Sequence, residues 1–257
     1  VIESGPRPDF WRAPTDNDFG AVLSGNRKHP NLKIWQDAGN LISEKCEVKD
    51  LENGVEIIVY GELPMIRANY SMKYMVYTNG IIDISSEYSP GKMDLPMMPR
   101  FGTEMIISPG YERIDWYGYG PNPTYSDRNS EKIGIYTSTV DREWVDYSKP
   151  QENGYKTGTR WFEITNDEGN GLRISAPNPL GIGVSHYAKQ DVQNADYSFQ
   201  LVRHPQIFLN VDMKQMGVGG TTSWLMHAYP RKEYRINNEP YSYSYRIEPI
   251  DKKRKNE

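Results

Sequence analysis

Across residues 55–89 the chain repeats one pattern, a run of nine or ten apolar or alternating residues followed by a turn. Residues 55–63 (VEIIVYGEL) are dense in β-branched side chains, residues 69–78 (NYSMKYMVYT) reach Asn79-Gly80, and residues 81–89 (IIDISSEYS) follow. Such side chains fit a pleated, half-buried surface, and Asn-Gly between two runs predicts a hairpin with a type I′ turn. Residues 161–165 and 172–176 repeat the arrangement around Asn166-Asp167-Glu168-Gly169-Asn170-Gly171. Another pair is predicted to flank Asn237-Asn238-Glu239-Pro240, ending in Tyr241-Ser242-Tyr243-Ser244-Tyr245-Arg246-Ile247, whose alternation puts the tyrosines on one face. Helical periodicity is confined to residues 31–38 and 188–195. The regular strand-helix alternation of a (β/α) barrel or a doubly wound sheet is absent. The predicted fold is therefore all-β, one large antiparallel sandwich over residues 1–250, with residues 251–257 a charged tail.

A charged fraction of 25% and a formal net charge of −4 give no global basic field, so neither a nucleic acid nor an anionic membrane is an expected partner. The basic cluster at residues 252–255 reads as a solvated end. No stretch approaches the roughly 20 apolar residues of a membrane span. Cys46 is the single cysteine, so no internal disulfide is available, and a nucleophilic role for it is not expected. The start, Val1-Ile2-Glu3-Ser4-Gly5-Pro6, lacks an initiator methionine and a signal-like segment, which suggests a piece of something longer.

Most short motifs fail on inspection. Gly217-Val218-Gly219-Gly220-Thr221-Thr222 lacks the third glycine and the helix of a dinucleotide fingerprint. His29, His186, His204 and His227 never fall at metal-ligand spacing, so no metal is expected in the chain. Asp16-Asn17-Asp18 lacks the rest of an EF-hand loop and is predicted to be a turn. No serine sits in a nucleophile elbow. Asn69-Tyr70-Ser71 matches a glycosylation sequon, a short pattern of little weight.

Three segments carry a more specific signal. They are Phe10-Trp11-Arg12-Ala13-Pro14-Thr15-Asp16-Asn17-Asp18-Phe19-Gly20, then Trp116-Tyr117-Gly118-Tyr119-Gly120-Pro121 with Tyr125-Ser126-Asp127-Arg128 and Pro150-Gln151-Glu152-Asn153-Gly154, and finally Met216-Gly217-Val218-Gly219-Gly220-Thr221-Thr222-Ser223-Trp224. In order and spacing they resemble the C-terminal (small-chain, domain 5) domain of family 2 β-galactosidases, over nearly the whole chain. The resemblance implies a supersandwich of the galactose-mutarotase type. That fold would accompany a catalytic (β/α) barrel holding the two glutamates and the magnesium of a retaining, oligomeric enzyme that hydrolyses terminal β-D-galactosides. No catalytic residue is then expected in this chain, which alone would be inactive.

By the same resemblance Trp224 forms an aromatic wall of the sugar pocket, supported by the loop residues Met216, Gly217, Gly219, Gly220 and Ser223. The glycines are expected to supply backbone conformations that other residues avoid. Well-known members carry two aspartates where this chain has Thr221-Thr222, which bears on its galactoside preference. Met65, Ile66 and Arg67 resemble a mobile loop near the family's active site. Trp11, Arg12, Asp16 and Asp18 read instead as structural anchors built around a buried arginine-carboxylate pair. Two other functions fit a fold of this type. An aldose 1-epimerase would use a histidine such as His186 or His204, and a purely structural assembly domain would bury Trp224 against a neighbour. Neither the natural glycoside nor the compartment is readable from the chain.

Overall fold

The computed structural model describes residues 1–23 and 32–252. Among them lie twelve strands, all paired antiparallel: β1 (Ile2–Asp9), β2 (Ile42–Leu51), β3 (Gly54–Leu63), β4 (Ala68–Tyr77), β5 (Ile82–Ser89), β6 (Arg100–Ile107), β7 (Arg113–Gly120), β8 (Lys132–Thr139), β9 (Lys156–Thr165), β10 (Gly171–Ser185), β11 (Ile207–Gln215) and β12 (Tyr241–Ile250). The two helices are short, α1 (Asp16–Leu23) and α2 (Lys189–Asn194), and no helix is long and apolar enough to cross a membrane. His29 and residues 253–257 lie outside the described residues.

The sheet runs β1-β6-β11-β10-β12-β5-β4-β3-β2, with β9, β7 and β8 joined through the other edge of β10. β10 is the hub. Its first part, Gly171 to Ser175, pairs with β12, and its last part, Gly181 to Ser185, pairs with β11. Pro177 and Pro179 fall between these parts, where the ladder to β9 is also interrupted. Proline has no N–H to give a ladder, so this is where the strand bends and exchanges one neighbour for another. The two arms then pack their inner faces together. Tyr243 on β12 donates to Thr103 Oγ1 on β6 at 3.1 Å, although these strands are not sheet neighbours. Phe10 joins the arms, with Tyr70 at 6.1 Å, Tyr88 at 5.7 Å and Phe101 at 5.9 Å between ring centres.

Three local expectations need correction. The β4–β5 turn is not type I′, because only Gly80 (φ 87°) and not Asn79 takes a positive φ. Gly80 N–H bonds Tyr77 O at 3.0 Å and Tyr77 N–H bonds Ile81 O at 2.9 Å, which makes a three-residue loop ending in a left-handed glycine. No hairpin flanks residues 237–240. Ile236 forms an isolated bridge to Met98, and β12 pairs with β5 and β10. Asp16-Asn17-Asp18 opens α1 rather than a turn. Asp18 N–H donates to Thr15 Oγ1 at 3.2 Å and Thr15 N–H donates to Asp18 Oδ2 at 3.0 Å, a reciprocal cap that was present in the sequence as Thr-x-x-Asp.

The edge strand β2 is exposed along its whole length, Cys46 included.

Candidate functional site

Arg12 is 1% exposed and all five of its N–H donors are used. Nε and Nη2 fork onto the two carboxylate oxygens of Asp18 at 3.0 Å each. Nη1 donates to Gln215 Oε1 (3.1 Å) and Met216 O (2.8 Å), and Nη2 also donates to Gly217 O (2.9 Å). A buried guanidinium left partly unpaired is strongly destabilising, so this set of bonds fixes where the chain goes as it leaves β11. The expected arginine-carboxylate anchor is present. Its reach to the glycine-rich loop was not legible, because the partners lie some 205 positions apart.

From the other side Asp127 accepts the N–H groups of Val218 (3.0 Å) and Gly219 (2.8 Å). Asn17 donates to Ala228 O (3.0 Å) and Thr222 O (3.4 Å), and accepts from Ser223 Oγ (3.4 Å). Asp127 and Asn17 stood inside the quoted segments without a role, and the structure supplies it. All three segments therefore converge on one loop. Its glycines serve close approach rather than unusual conformation, since none of Gly217, Gly219 and Gly220 has a positive φ. A Cβ on Gly217 would stand 2.5 Å from Asp127 Oδ2, and one on Gly220 2.5 Å from the carbonyl oxygens of His227 and Ala228.

The loop carries Trp224, 69% exposed, beside Leu225, 46% exposed and held at φ 57°. Tryptophan is usually well buried, whereas this indole stands open on a firmly held loop. Thr222 Oγ1 accepts Trp224 N–H at 3.2 Å and donates to Trp224 O at 3.1 Å, while Thr222 N–H bonds His227 O at 3.2 Å. Ser223 is exposed, whereas Met216 is fully buried and supports the loop from the core. Met65, Ile66 and Arg67 form the turn between β3 and β4, with Met65 exposed, Ile66 fully buried and Arg67 at φ 49°. This turn and the glycine-rich loop leave the strands at the same end. Tyr70 pairs with Tyr88 and Tyr88 with Tyr241, and the Tyr241 ring lies 5.1 Å from Phe101, next to the Arg100–Gln215 pair.

The histidines considered for epimerase chemistry are both engaged. His186, 1% exposed, places Nδ1 3.0 Å from the carbonyl oxygens of His204 and Gln206 and Nε2 2.8 Å from Glu112 Oε2. His204 Nε2 lies 2.7 Å from Asp191 Oδ2. A polar cleft of about 230 Å³ beside Arg7, Asp9, Trp11, Glu104 and Lys189 is lined by no histidine. His186, Glu112 and Asp141 do bring ligand-type atoms within 4.8 Å of one another, a grouping that sequence spacing concealed.

The family model described as "Beta galactosidase small chain" matches residues 1–247. A β-galactosidase of Priestia megaterium is 30% identical over 97% of the chain, and one of Streptococcus thermophilus is 31% identical over 97%. The β-galactosidase BgaC of Bifidobacterium adolescentis is 32% identical over 86%. The chain spans 24%, 24% and 21% of the length of these relatives. Among solved structures, a GalM/aldose epimerase homologue from C. elegans aligns with 80% of this chain and 69% of its own at TM-score 0.43 and 9% identity. With residues 1–247 matched by one family model, the chain belongs to the β-galactosidase small-chain family.

Proposed function

We propose that this chain is the sugar-facing, non-catalytic part of a β-galactosidase. A (β/α) barrel elsewhere in the enzyme holds both glutamates, and terminal β-D-galactosides are hydrolysed there with retention. The observation that carries the reading is the exposure of Trp224 on a loop clamped by Arg12, Asp127 and Asn17. One face of a pyranose is a patch of C–H groups that packs on an indole, leaving its hydroxyls free for hydrogen bonds. Thr222 and Ser223, exposed on the same loop, offer polar contacts to those hydroxyls. The β3–β4 turn with Met65 and Arg67 lies at the same end of the strands as this loop. Magnesium in this reading belongs to the barrel. The Glu112, Asp141 and His186 set fits it poorly, since magnesium prefers octahedral oxygen coordination.

Trp224→Ala in the full-length enzyme tests the proposal. Loss of about 1–3 kcal/mol of aromatic contact raises KM for a galactoside by about 5- to 150-fold, with thermal stability unchanged because the ring is exposed. Unaltered kinetic constants would refute the pocket-wall role of Trp224.

A further inference from the structure

The geometry points to a second site, a divalent transition-ion site of the zinc type formed by His186, Glu112 and Asp141. It sits at the opposite end of β11 from the glycine-rich loop, about 27 Å along the strand, and is independent of the galactosidase reading. Glu112 precedes β7, Asp141 opens a short turn after β8, and His186 directly follows β10.

Both groups facing His186 Nδ1 are backbone carbonyl oxygens, at 3.0 Å, and neither can donate, so the ring hydrogen belongs on Nδ1. A neutral His186 therefore turns a bare lone pair on Nε2 toward Glu112 Oε2 at 2.8 Å and Asp141 Oδ1 at 4.0 Å. Three electron-pair donors converge there, and the imidazole side chain is only 1% exposed. A cation resolves the conflict. Metal-bound histidines characteristically give their second nitrogen's hydrogen to a backbone carbonyl, as Nδ1 does here. Tetrahedral zinc with ligands at 2.0–2.2 Å holds them about 3.4 Å apart, and the separations of 2.8 and 4.0 Å bracket that value. Imidazole in the donor set favours zinc, nickel or cobalt over magnesium or calcium.

Arg203 is the competitor. Its fork bonds both oxygens of Asp141 at 3.0 Å, and Nη2 lies 3.8 Å from Glu112 Oε2. The arginine side chain is 43% exposed, so its displacement from Asp141 would carry it into solvent. Entry of the ion then exchanges one positive charge for another at Asp141.

The test is calorimetric titration of the full chain with zinc chloride near neutral pH, with magnesium chloride as a control, followed by cobalt(II) absorption spectroscopy. One zinc per chain is expected, with a cobalt d–d band and no magnesium heat. Glu112→Gln and Asp141→Asn, both at the surface and so compatible with folding, weaken zinc binding by about 10–100-fold or more. Arg203→Gln strengthens it, on the order of tenfold, by removing the competing charge. Absence of saturable zinc binding, or binding indifferent to all three substitutions, overturns the site and leaves a proton on Nε2 as the resolving cation.

Discussion

Asp212 shows what a single residue can conceal in a sequence. It is fully buried, with Oδ2 accepting from the Tyr155 hydroxyl at 2.8 Å and lying 3.1 Å from Arg100 Nε. Oδ1 has no hydrogen-bond partner among the described residues. Arg100 also faces Asp9 at 3.2 Å and Glu152 at 3.4 Å, so three carboxylates share one guanidinium. Burial pushes the Asp212 carboxyl up to about 8, against the pull of Arg100. The folded state then holds a proton that the unfolded chain releases near its ordinary value of 3.8. This contribution to stability is full below pH 3.8 and is lost as pH rises through about 8. Asp212→Asn, neutral at every pH, removes that dependence. Urea unfolding at pH 5 and pH 8 should show wild type losing on the order of a few kcal/mol more than the variant. Parallel losses in the two proteins would refute it.

At the scale of the element, what was readable was local. β3, β4 and β5 follow the runs seen in the sequence almost residue for residue, because alternation and β-branching act within one strand. The turn type was missed because Asn-Gly fits both a two-residue loop and a three-residue loop, and the strand register chooses between them. Gly80, at φ 87°, is the residue the observed loop cannot replace. Gly80→Ala places a Cβ 3.3 Å from the Pro249 ring and forces a left-handed alanine. The expected cost is about 1–2 kcal/mol, read as a lower urea midpoint with an unchanged slope. A variant as stable as wild type would show that the loop relaxes to another turn. The supposed strand before residues 237–240 failed for a different reason. Residues 241–247 of β12 pair with β5 and residues 246–250 with β10, while Ile236, just before the turn, bridges Met98 instead of folding back on β12.

For the whole molecule, the proposed function implies a division of labour. The chain spans about a quarter of the length of its relatives in Priestia megaterium and Streptococcus thermophilus, and the proposed catalytic glutamates lie in the remainder. The purified chain should therefore show no turnover of a chromogenic β-galactoside, and activity that stays with it through purification would defeat the proposal. Resemblance made the loop and Trp224 nameable, and periodicity made the strands visible. The sequence by itself determined the all-β class and the hairpins over residues 54–89 and 156–185, since each depends on residues close together in the chain. Only the tertiary structure decided that Arg12, Asn17 and Asp127 hold that loop and that Glu112 and Asp141 face His186. It also decided that β10 serves two arms of the sheet. These are pairings across tens to hundreds of positions, set by how buried charges and backbone donors find partners once the sheet has closed.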